Sequence, residues 1–526
     1  MVETGNSKAP AERTARRLPS LLLLVPLLLL VALSSWTVSS PAGSSPDDNY
    51  HLASIWCGAG ERPGLCESAS GGAGERVPWA TIASHECYHF QPEVAATCQV
   101  KALGADPNRL VTTQHVNSVA HYYSPLYYAV LSPFASADVG ASVIAIRIVN
   151  SLLFVVIVSV LFWVLPARRR PLLVVSLAVT VVPWGVFLIA SVNPSGWAVL
   201  AGGTVWLAVL GFLESAGWRR VVLGVLAVVT AVMGAGARSD MAVYAVIGMV
   251  AAVFLAMRGG GGRRFWVSVI LPVVLSLVCF VLFLTAQQVG VWQNGVAPGS
   301  GGTARHGWSL LLHNLLNVPT LVFGSLGSWP LGWNDVTIPP VVWVGTLFVF
   351  AAAVFTGLAT MSCRKALVVG ATVIALVSLP LYLLQRSLTE VGGLVHPRYL
   401  LPLLIMFVGF VLFPIGTRWV RVTPLQAWLV VAVLSAANAV SLYSNIRRYT
   451  LGGAPGVSLS GPGSWWWGSG VPQPSIVFAG GIIAFTAALA LLTHHLLTTQ
   501  RGQQAQLVDE AEERGTQARV AQAGAS

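Results

Sequence analysis

Two adjacent carboxylic acids, Asp47 and Asp48, follow the first long apolar run of the chain and come just before Tyr50 and His51. A carboxylate can act as a general base by taking the proton of an attacking hydroxyl group. Adjacent aspartates can instead cap a short helix, because Asp is favoured at helix N-termini. The stretch therefore predicts either a local cap or a reactive site, in which Asp47 is the base and Asp48 is its partner or a metal ligand. The sequence identifies no cofactor, and it leaves open whether these acids bind a divalent cation.

Polar residues near the ends of other apolar runs suit an anionic ligand beside these acids. Arg suits a phosphate, since its planar guanidinium donates two hydrogen bonds and stays charged. A lipid-phosphate sugar donor would place its phosphate at the membrane surface, so group transfer at that surface is the predicted chemistry. The alternatives are that Arg398 only anchors a helix end and that Arg147 snorkels to the surface. The predicted substrate-binding residues are His51, Arg147, Asn193, Arg238, Asp240, Asp335, His396, Arg398 and Tyr399.

The composition indicates a membrane protein. Of the 526 residues, 55% are hydrophobic and 9% are charged, whereas soluble domains carry about 25% charged residues. Many apolar runs approach the roughly 20 residues that a helix needs to cross a bilayer. The net charge of +11 therefore indicates basic cytoplasmic loops, and membrane lipid rather than nucleic acid is the expected partner.

The predicted fold is an all-α integral membrane protein with about 12 transmembrane helices, because backbone polar groups in lipid must pair within each segment. The first run also resembles a signal peptide, but its length favours a retained helix. The predicted spans are 18–37, 138–165, 172–190, 195–213, 219–235, 240–257, 265–288, 339–359, 366–384, 397–416, 424–442 and 475–498.

Charges in the connections predict the orientation. With the N-terminus inside, every second connection carries a basic cluster, and the inside segments hold 19 of the 30 Lys and Arg. Since basic loops face the cytoplasm, both termini are predicted there, in a protein of the cytoplasmic (cell) membrane. The predicted organisation is a cytoplasmic tail at 1–17, a transmembrane module at 18–442 that includes extracytoplasmic loops at 38–137 and 289–338, an extracytoplasmic Gly-, Ser- and Trp-rich loop at 443–474, a last helix at 475–498 and a cytoplasmic polar tail at 499–526.

Acidic residues avoid the centres of the spans. By this topology 12 of the 19 Asp and Glu lie outside, 7 lie inside, and none falls in the middle of a span. A charge at the bilayer centre costs roughly 2.5–3.5 kcal/mol on insertion scales, so it is kept only for a purpose such as ion coupling. This distribution argues against an ion-coupled transporter.

Four of the six cysteines lie in the long first loop. An oxidising exterior allows disulfides there. Three pairings are open, and local pairs are favoured over the other pairings and over free thiols. His85 and His89 have a poor spacing for zinc, so no metal site is predicted. The favoured disulfides are Cys57–Cys66 and Cys87–Cys98.

Several short motifs resemble, in the same order, those of a family of uncharacterised polytopic bacterial membrane proteins that is similar to the GT-C glycosyltransferases. Asp47–His51 resembles the family's Asp-Glu-x-x-His motif after the first helix, and Arg398–Pro402 resembles its Gly-Arg-Tyr-x-x-Pro motif. Asp48 and Pro397 depart from these motifs, where the family has Glu and Gly. The resemblance covers about residues 18–442. Further similar segments are His121–Tyr128, Arg147–Asn150, Asn193-Pro194 and Gly327–Pro339.

The resemblance implies a GT-C-like fold, a catalytic acid in the first outer loop, and a polyprenyl-phosphate sugar as donor. The predicted function is therefore a membrane glycosyltransferase that acts on a cell-envelope glycan or lipid acceptor at the outer face, with Asp47 and Asp48 as catalytic residues. One alternative is a non-enzymatic protein that transports lipid-linked glycans or assists envelope assembly. Another is a receptor that binds its ligand through the Cys- and His-rich first loop.

Overall fold

The structure is a computed structural model. It describes residues 21–72, 74–106, 108–257, 262–286, 290, 303–414 and 422–523. The predicted tail at 1–17 and the basic residues Arg258, Arg418 and Arg421 lie outside these ranges.

Apolar helices make up most of the molecule, and many of them are apolar on all sides, as expected for segments that lie among lipid or other helices. The all-α polytopic prediction is confirmed. The helices of this apolar layer are Val25–Ser39, Val139–Val164, Arg170–Ala178, Trp184–Ile189, Ser195–Glu214, Gly217–Ala237, Ser239–Ala256, Arg263–Thr285, Pro340–Leu358, Cys363–Arg386, Leu401–Val411, Pro424–Leu451 and Pro474–Ala523.

Ten helices of the described chain are long and apolar enough to cross a membrane. Nine of these coincide with predicted spans, and the tenth is Gly307–Ser328. The other three predicted spans, 18–37, 172–190 and 397–416, correspond to shorter pieces. These are Val25–Ser39, the pair Arg170–Ala178 and Trp184–Ile189, and Leu401–Val411, which follows the 3₁₀ turn Pro397–Tyr399.

The span predicted at 172–190 is interrupted in the middle. Its first helix ends at Ala178 and its second begins at Trp184, directly after Pro183. Proline has no N–H group and its ring clashes with the preceding turn, so it breaks a helix. The uniformly apolar composition of the run conceals this break.

The apolar segment Gly307–Ser328 falls within the predicted loop 289–338 and is largely helical. It consists of Gly307–Asn317, Pro319–Phe323 and the π-helical turn Gly324–Ser328. The carbonyl of Gly307 accepts a hydrogen bond from Gln385, and Ser325 donates one to the carbonyl of Pro397. Gln385 and Pro397 flank a single short connection, so both ends of the segment lie at the same face and it does not cross the apolar layer.

The connections between helices sort onto two opposite faces. We call the face that carries residues 40–138 and 387–400 the site face. On the other, the basic face, Arg168 and Arg169 pair with Glu214 at 3.1 and 2.6 Å. Arg220 contacts Ser268 and Arg364 contacts the Met257 carbonyl on this face. The predicted basic clusters that lie within the described residues therefore share one face of the bundle.

Residues 40–138 form a small structured unit on the site face. Its antiparallel sheet joins the strands Glu67–Ser68, Glu75–Pro78 and Leu110–Thr113 in that order. Disulfides link Cys57 to Cys66 and Cys87 to Cys98, which is the pairing favoured from the sequence. The helices of this unit are Asp48–Trp56, Trp79–Ala83, Val100–Leu103, Asn117–Ala120 and Leu126–Leu131, with 3₁₀ turns at Ala96–Gln99 and Ser132–Phe134.

Two helices continue past their predicted ends. Pro424–Leu451 runs beyond residue 442 because Asn445 and Arg448 are buried and hydrogen-bonded to loops of the site face. Pro474–Ala523 runs through the predicted polar tail, whose Gln, Ala and Glu residues are good helix formers. Polarity marks the end of the apolar layer and not the end of a helix.

Arg147 ties the start of the first loop to the helix bundle. Its side chain, on the helix Val139–Val164, is fully buried. The guanidinium donates to the carbonyl oxygens of Thr37, Ser40 and Pro41 at 3.0, 2.6 and 2.7 Å. These carbonyls lie at the C-terminus of the first helix, where carbonyl groups lack intrahelical partners and a cation is favoured by the helix dipole. Arg147 therefore caps this helix and does not snorkel.

Replacing Arg147 with Met is expected to destabilise the protein by about 3–5 kcal/mol, because buried carbonyl groups lose their donors and buried Asp48 loses its nearest cation. The measurement is thermal unfolding and size-exclusion chromatography in detergent. The matched control is Arg76→Met, since Arg76 pairs with Glu67 at the surface and such pairs contribute about 0–1 kcal/mol. Equal losses of thermal stability in Arg147→Met and Arg76→Met would contradict the capping role of Arg147.

Candidate functional site

The two adjacent acids lie in different environments. Asp47 has a left-handed backbone with φ of 64°, which Asp tolerates better than most residues. Its side chain is 45% exposed and does not cap the following helix Asp48–Trp56. Asp48 is fully buried, accepts a hydrogen bond from the N–H of Ser45 at 3.0 Å and lies 4.0 Å from Arg147. Only Asp47 is therefore placed to meet a ligand.

Asp47 belongs to an ionic cluster on the site face. Arg398 donates from Nη2 to the Asp47 carboxylate at 2.8 Å and to the Tyr399 hydroxyl at 3.1 Å. The Tyr399 ring lies 4.4 Å from the guanidinium of Arg238 and 4.9 Å from that of Arg398, within the range of cation–π contacts. Arg238 also pairs with Asp240 at 2.7 Å. Two ion pairs thus meet at one aromatic ring through their arginines.

Arg398 has hydrogen-bonding capacity to spare. Its side chain is 3% exposed, and its Nε is buried with no partner among the described residues. A buried donor without a partner costs about 1–3 kcal/mol. An oxyanion beside this nitrogen would remove that cost.

Two histidines lie beside the cluster in their neutral form. Burial lowers the pKa of His51 to about 3, although Asp47 acts in the opposite direction. Nδ1 of His51 is 2.9 Å from the hydroxyl of Tyr128. Burial and the charge of Arg398 also lower the pKa of His396 to about 3. Neither ring carries a charge at neutral pH, so the positive charge of the cluster comes from its arginines.

The pKa values of the Asp47 and Asp48 carboxyl groups are shifted in opposite directions. Burial alone would raise the pKa of Asp47, but the charge of Arg398, with smaller contributions from neighbouring groups, lowers it below its ordinary value. Burial raises the pKa of Asp48 to about 7 and outweighs the attraction of Arg147. Asp47 is therefore ionised and accessible, whereas Asp48 is part of the protein interior.

Other predicted site residues hold the loops of the site face. Asn193 is buried and donates to the Ser45 hydroxyl and the Pro46 carbonyl at 3.1 and 2.9 Å. Asp335 is buried and pairs with Arg448 at 2.9 Å. Arg147 caps the first helix, as described above. The structure thus groups His51, Arg238, Asp240, His396, Arg398 and Tyr399 with Asp47, and it places Asp48, Arg147, Asn193 and Asp335 in supporting contacts.

The contribution of Arg448 was not foreseen from the sequence. Arg448 donates to the carbonyls of Tyr88, Gln91 and Val94 as well as to Asp335. A sequence signal does exist, since Arg448 is a basic residue on the side where the predicted topology places most of the acids. Its acceptors are mostly backbone carbonyls, which no residue pattern reveals.

One group of residues in the described chain has the spacing of a metal site, and it consists of Cys57, Cys66 and Glu75. The two cysteine sulfurs are joined in a disulfide, so they do not offer the thiolates that a metal would need. Asp47 and Asp48 do not belong to such a group. The contacts of Asp47 are instead with a guanidinium.

The fold and the site define a class of protein, namely a polytopic α-helical membrane protein with an ionic cluster at one membrane surface. Residues 28–407 match the family described as predicted membrane protein (DUF2142). The match covers more than half of the chain, and the chain therefore belongs to this family. Asp47, Arg238 and Arg398 all lie within the matched range. Neither curated proteins nor solved structures gave a match.

Replacing His51 with Gln is expected to reduce the acid sensitivity of folding. In the unfolded chain His51 has a pKa of about 6.5, whereas in the folded protein its pKa is about 3. Stability from this group is therefore present above pH 6.5 and is lost as the pH falls toward 3, by about 1.4 kcal/mol per pH unit. The measurement is thermal unfolding in detergent between pH 7 and pH 4.

Asp48 has the opposite effect on stability. Because its pKa is raised on folding, the free energy of unfolding falls as the pH increases from 3.8 to about 7. Its contribution is the same in wild type and variant, so it cancels in the comparison. Exposed His121, replaced with Gln, is the control and should keep the wild-type slope. A His51→Gln slope equal to that of wild type would refute the assignment of a neutral, buried His51.

Proposed function

We propose that the protein is a membrane glycosyltransferase that moves a sugar from a polyprenyl-phosphate donor to a glycan or lipid acceptor of the cell envelope. The observation that carries the proposal is the 2.8 Å contact between the accessible carboxylate of Asp47 and the buried guanidinium of Arg398. A carboxylate suits an acceptor hydroxyl, and a guanidinium suits a phosphate. The motif resemblance to GT-C glycosyltransferases supports the same reaction class.

The proposed orientation places the site face outside the cell. The basic face carries Arg168, Arg169, Arg220 and Arg364, and basic connections remain on the cytoplasmic side. The disulfides of the first loop agree with this orientation, because they persist in oxidising compartments. The donor phosphate would then lie at the outer surface, with its polyprenyl tail in the bilayer.

Binding of the donor begins with an exchange of ion-pair partners. In the free protein the charge of Arg398 is balanced by Asp47, and that of Arg238 by Asp240. The donor phosphate takes the place of the Asp47 carboxylate on Arg398 and uses its unpartnered Nε. Asp47 loses the cation that lowers its pKa, so it becomes a stronger base when donor is present.

Sugar transfer then forms one bond and breaks another. The acceptor oxygen forms a bond to the anomeric carbon of the sugar while the bond from that carbon to the phosphate oxygen breaks. The acceptor proton passes to the carboxylate of Asp47, and the bonding electron pair leaves with the phosphate. Arg398 and Arg238 stabilise the charge that develops on the phosphate, as preorganised cations do in phosphate-transfer sites.

The buried polar residues act as positioning residues. Asn193 holds the carbonyl of Pro46, the residue before Asp47, and Asp48 holds the N–H of Ser45. These contacts fix the backbone on either side of the proposed base. Small displacements of a catalytic group reduce rates strongly, which gives this buried network a functional purpose.

Asp47→Asn is expected to reduce glycan formation by about 10²–10⁴-fold, the usual effect of losing a general base, while the protein folds and inserts normally. The measurement is analysis of envelope glycans and lipid-linked sugars in cells that rely on the variant, with protein amount measured in parallel. The matched control is Asp106→Asn, an exposed acid of the same loop. Unchanged products at normal protein levels would refute the proposal and favour a non-enzymatic role in transport or assembly.

Arg398→Gln is expected to move the acidic limb of the pH–activity profile to higher pH. Arg398 lowers the pKa of Asp47, so its removal raises that pKa, and the base becomes protonated at a higher pH than before. The measurement is the pH dependence of kcat/KM for glycan formation in isolated membranes at limiting donor concentration, because kcat/KM reports the pKa of the donor-free protein, in which Arg398 still contacts Asp47. Arg305→Gln, which removes an exposed ion pair with Glu390, should leave the limb in place. An unmoved limb in Arg398→Gln would show that Asp47 is not the titrating base.

A further inference from the structure

An apolar groove runs between helices near the basic face, away from the ionic cluster. Four helices line it: Val25–Ser39 with the turn before it, Val139–Val164, Arg170–Ala178 and Pro474–Ala523. The space is about 790 Å³, part of it open to the surroundings. Its lining is almost entirely hydrocarbon and aromatic.

The groove follows the helix axes. On Val139–Val164 it is lined by Phe154, Val158 and Phe162, and on the last helix by Phe485, Leu489 and Leu492. Positions three or four residues apart share one face of a helix. At 1.5 Å per residue, this stripe is roughly 10 Å long. A slot of this length, parallel to the helices, fits much of a lipid acyl chain, since one leaflet of hydrocarbon is roughly 15 Å thick.

The mouth of the groove carries positive charge without a matching acid. The Arg170 guanidinium lies 5.2 Å from the Phe162 ring and 5.8 Å from the Trp163 ring, both of which line the groove. Its neighbours Arg168 and Arg169 share Glu214. Among the described residues Arg170 pairs with no carboxylate, and its Nε is buried without a partner.

A second arginine adds to this positive region. Arg219 lies close enough to Arg170 for their charges to repel. Two arginines kept together without an acid attract an anion, and aromatic rings hold one of them at the edge of the apolar slot.

We infer that this groove binds a phospholipid with a net negative charge. One acyl chain would occupy the apolar slot, and the head-group phosphate would bind Arg170. Charge complementarity selects an anionic over a zwitterionic lipid, since a basic residue near the surface contributes about 1 kcal/mol to the binding of anionic lipid. The site is separate from the proposed donor site, because the two lie at opposite faces of the bundle.

The test is native mass spectrometry of the full-length protein in detergent, titrated with phosphatidylglycerol or phosphatidylcholine of identical acyl chains. Wild type should retain phosphatidylglycerol preferentially. Arg170→Gln should reduce that preference about fivefold. Arg263→Gln, at an exposed arginine of the same face, should leave it unchanged.

A second variant tests the slot without altering charge. Ala178 lines the groove, so Ala178→Phe should fill it and reduce retention of both lipids. The matched control is Val156→Phe, which adds an aromatic ring at an exposed position of a neighbouring helix. Equal retention of the two lipids by wild type, or an unchanged preference in Arg170→Gln, would overturn the anionic specificity. Undiminished retention in Ala178→Phe would overturn the groove as the binding site.

Discussion

The buried guanidinium of Arg147 is the contact on which the arrangement of the site face depends. It binds the carbonyls that end the first helix, and it does so from the second membrane helix, 110 residues further along the chain. The loop that follows these carbonyls contains Ser45, Pro46 and Asp47. Because its start is fixed by Arg147 and its middle by Asn193, the carboxylate of Asp47 is presented outward while that of Asp48 is drawn into the protein.

Buried arginines that look alike in the sequence have different contacts in the structure. Arg147, Arg398 and Arg448 are all nearly inaccessible. Arg147 and Arg448 donate most of their hydrogen bonds to backbone carbonyls and thereby join loops. Arg398 binds a partly exposed carboxylate instead. Nε lacks a partner among the described residues in both Arg147 and Arg398, so what distinguishes Arg398 is the exposure of its partner and not an unused nitrogen.

The sequence predicts the helical layer well because crossing lipid requires a long apolar run, and such runs are visible residue by residue. The sequence places Arg238, Arg398 and Asp47 at span ends of one predicted side, but only the structure brings them together, since Asn193 and Asp335 are predicted on the same side and lie in other contacts. The burial of Asp48 and Asp335 could not be predicted, because it depends on tertiary contacts with Ser45, Arg147 and Arg448. Likewise, the segment Gly307–Ser328 is apolar enough to span, and only its hydrogen bonds to Gln385 and Pro397 show that it stays on one face.

The sequence separations within the site set an order for its assembly during synthesis. The clamp made by Arg147 is available once the second membrane helix has been made. The Asp47–Arg398 contact bridges 351 residues, so it must wait until ten of the thirteen helices of the apolar layer have been synthesised. A nascent chain therefore carries a first loop whose start is clamped by Arg147, but it has no complete ionic cluster. The distance along the polypeptide between these two charges therefore makes the ionic cluster a feature of the nearly complete chain.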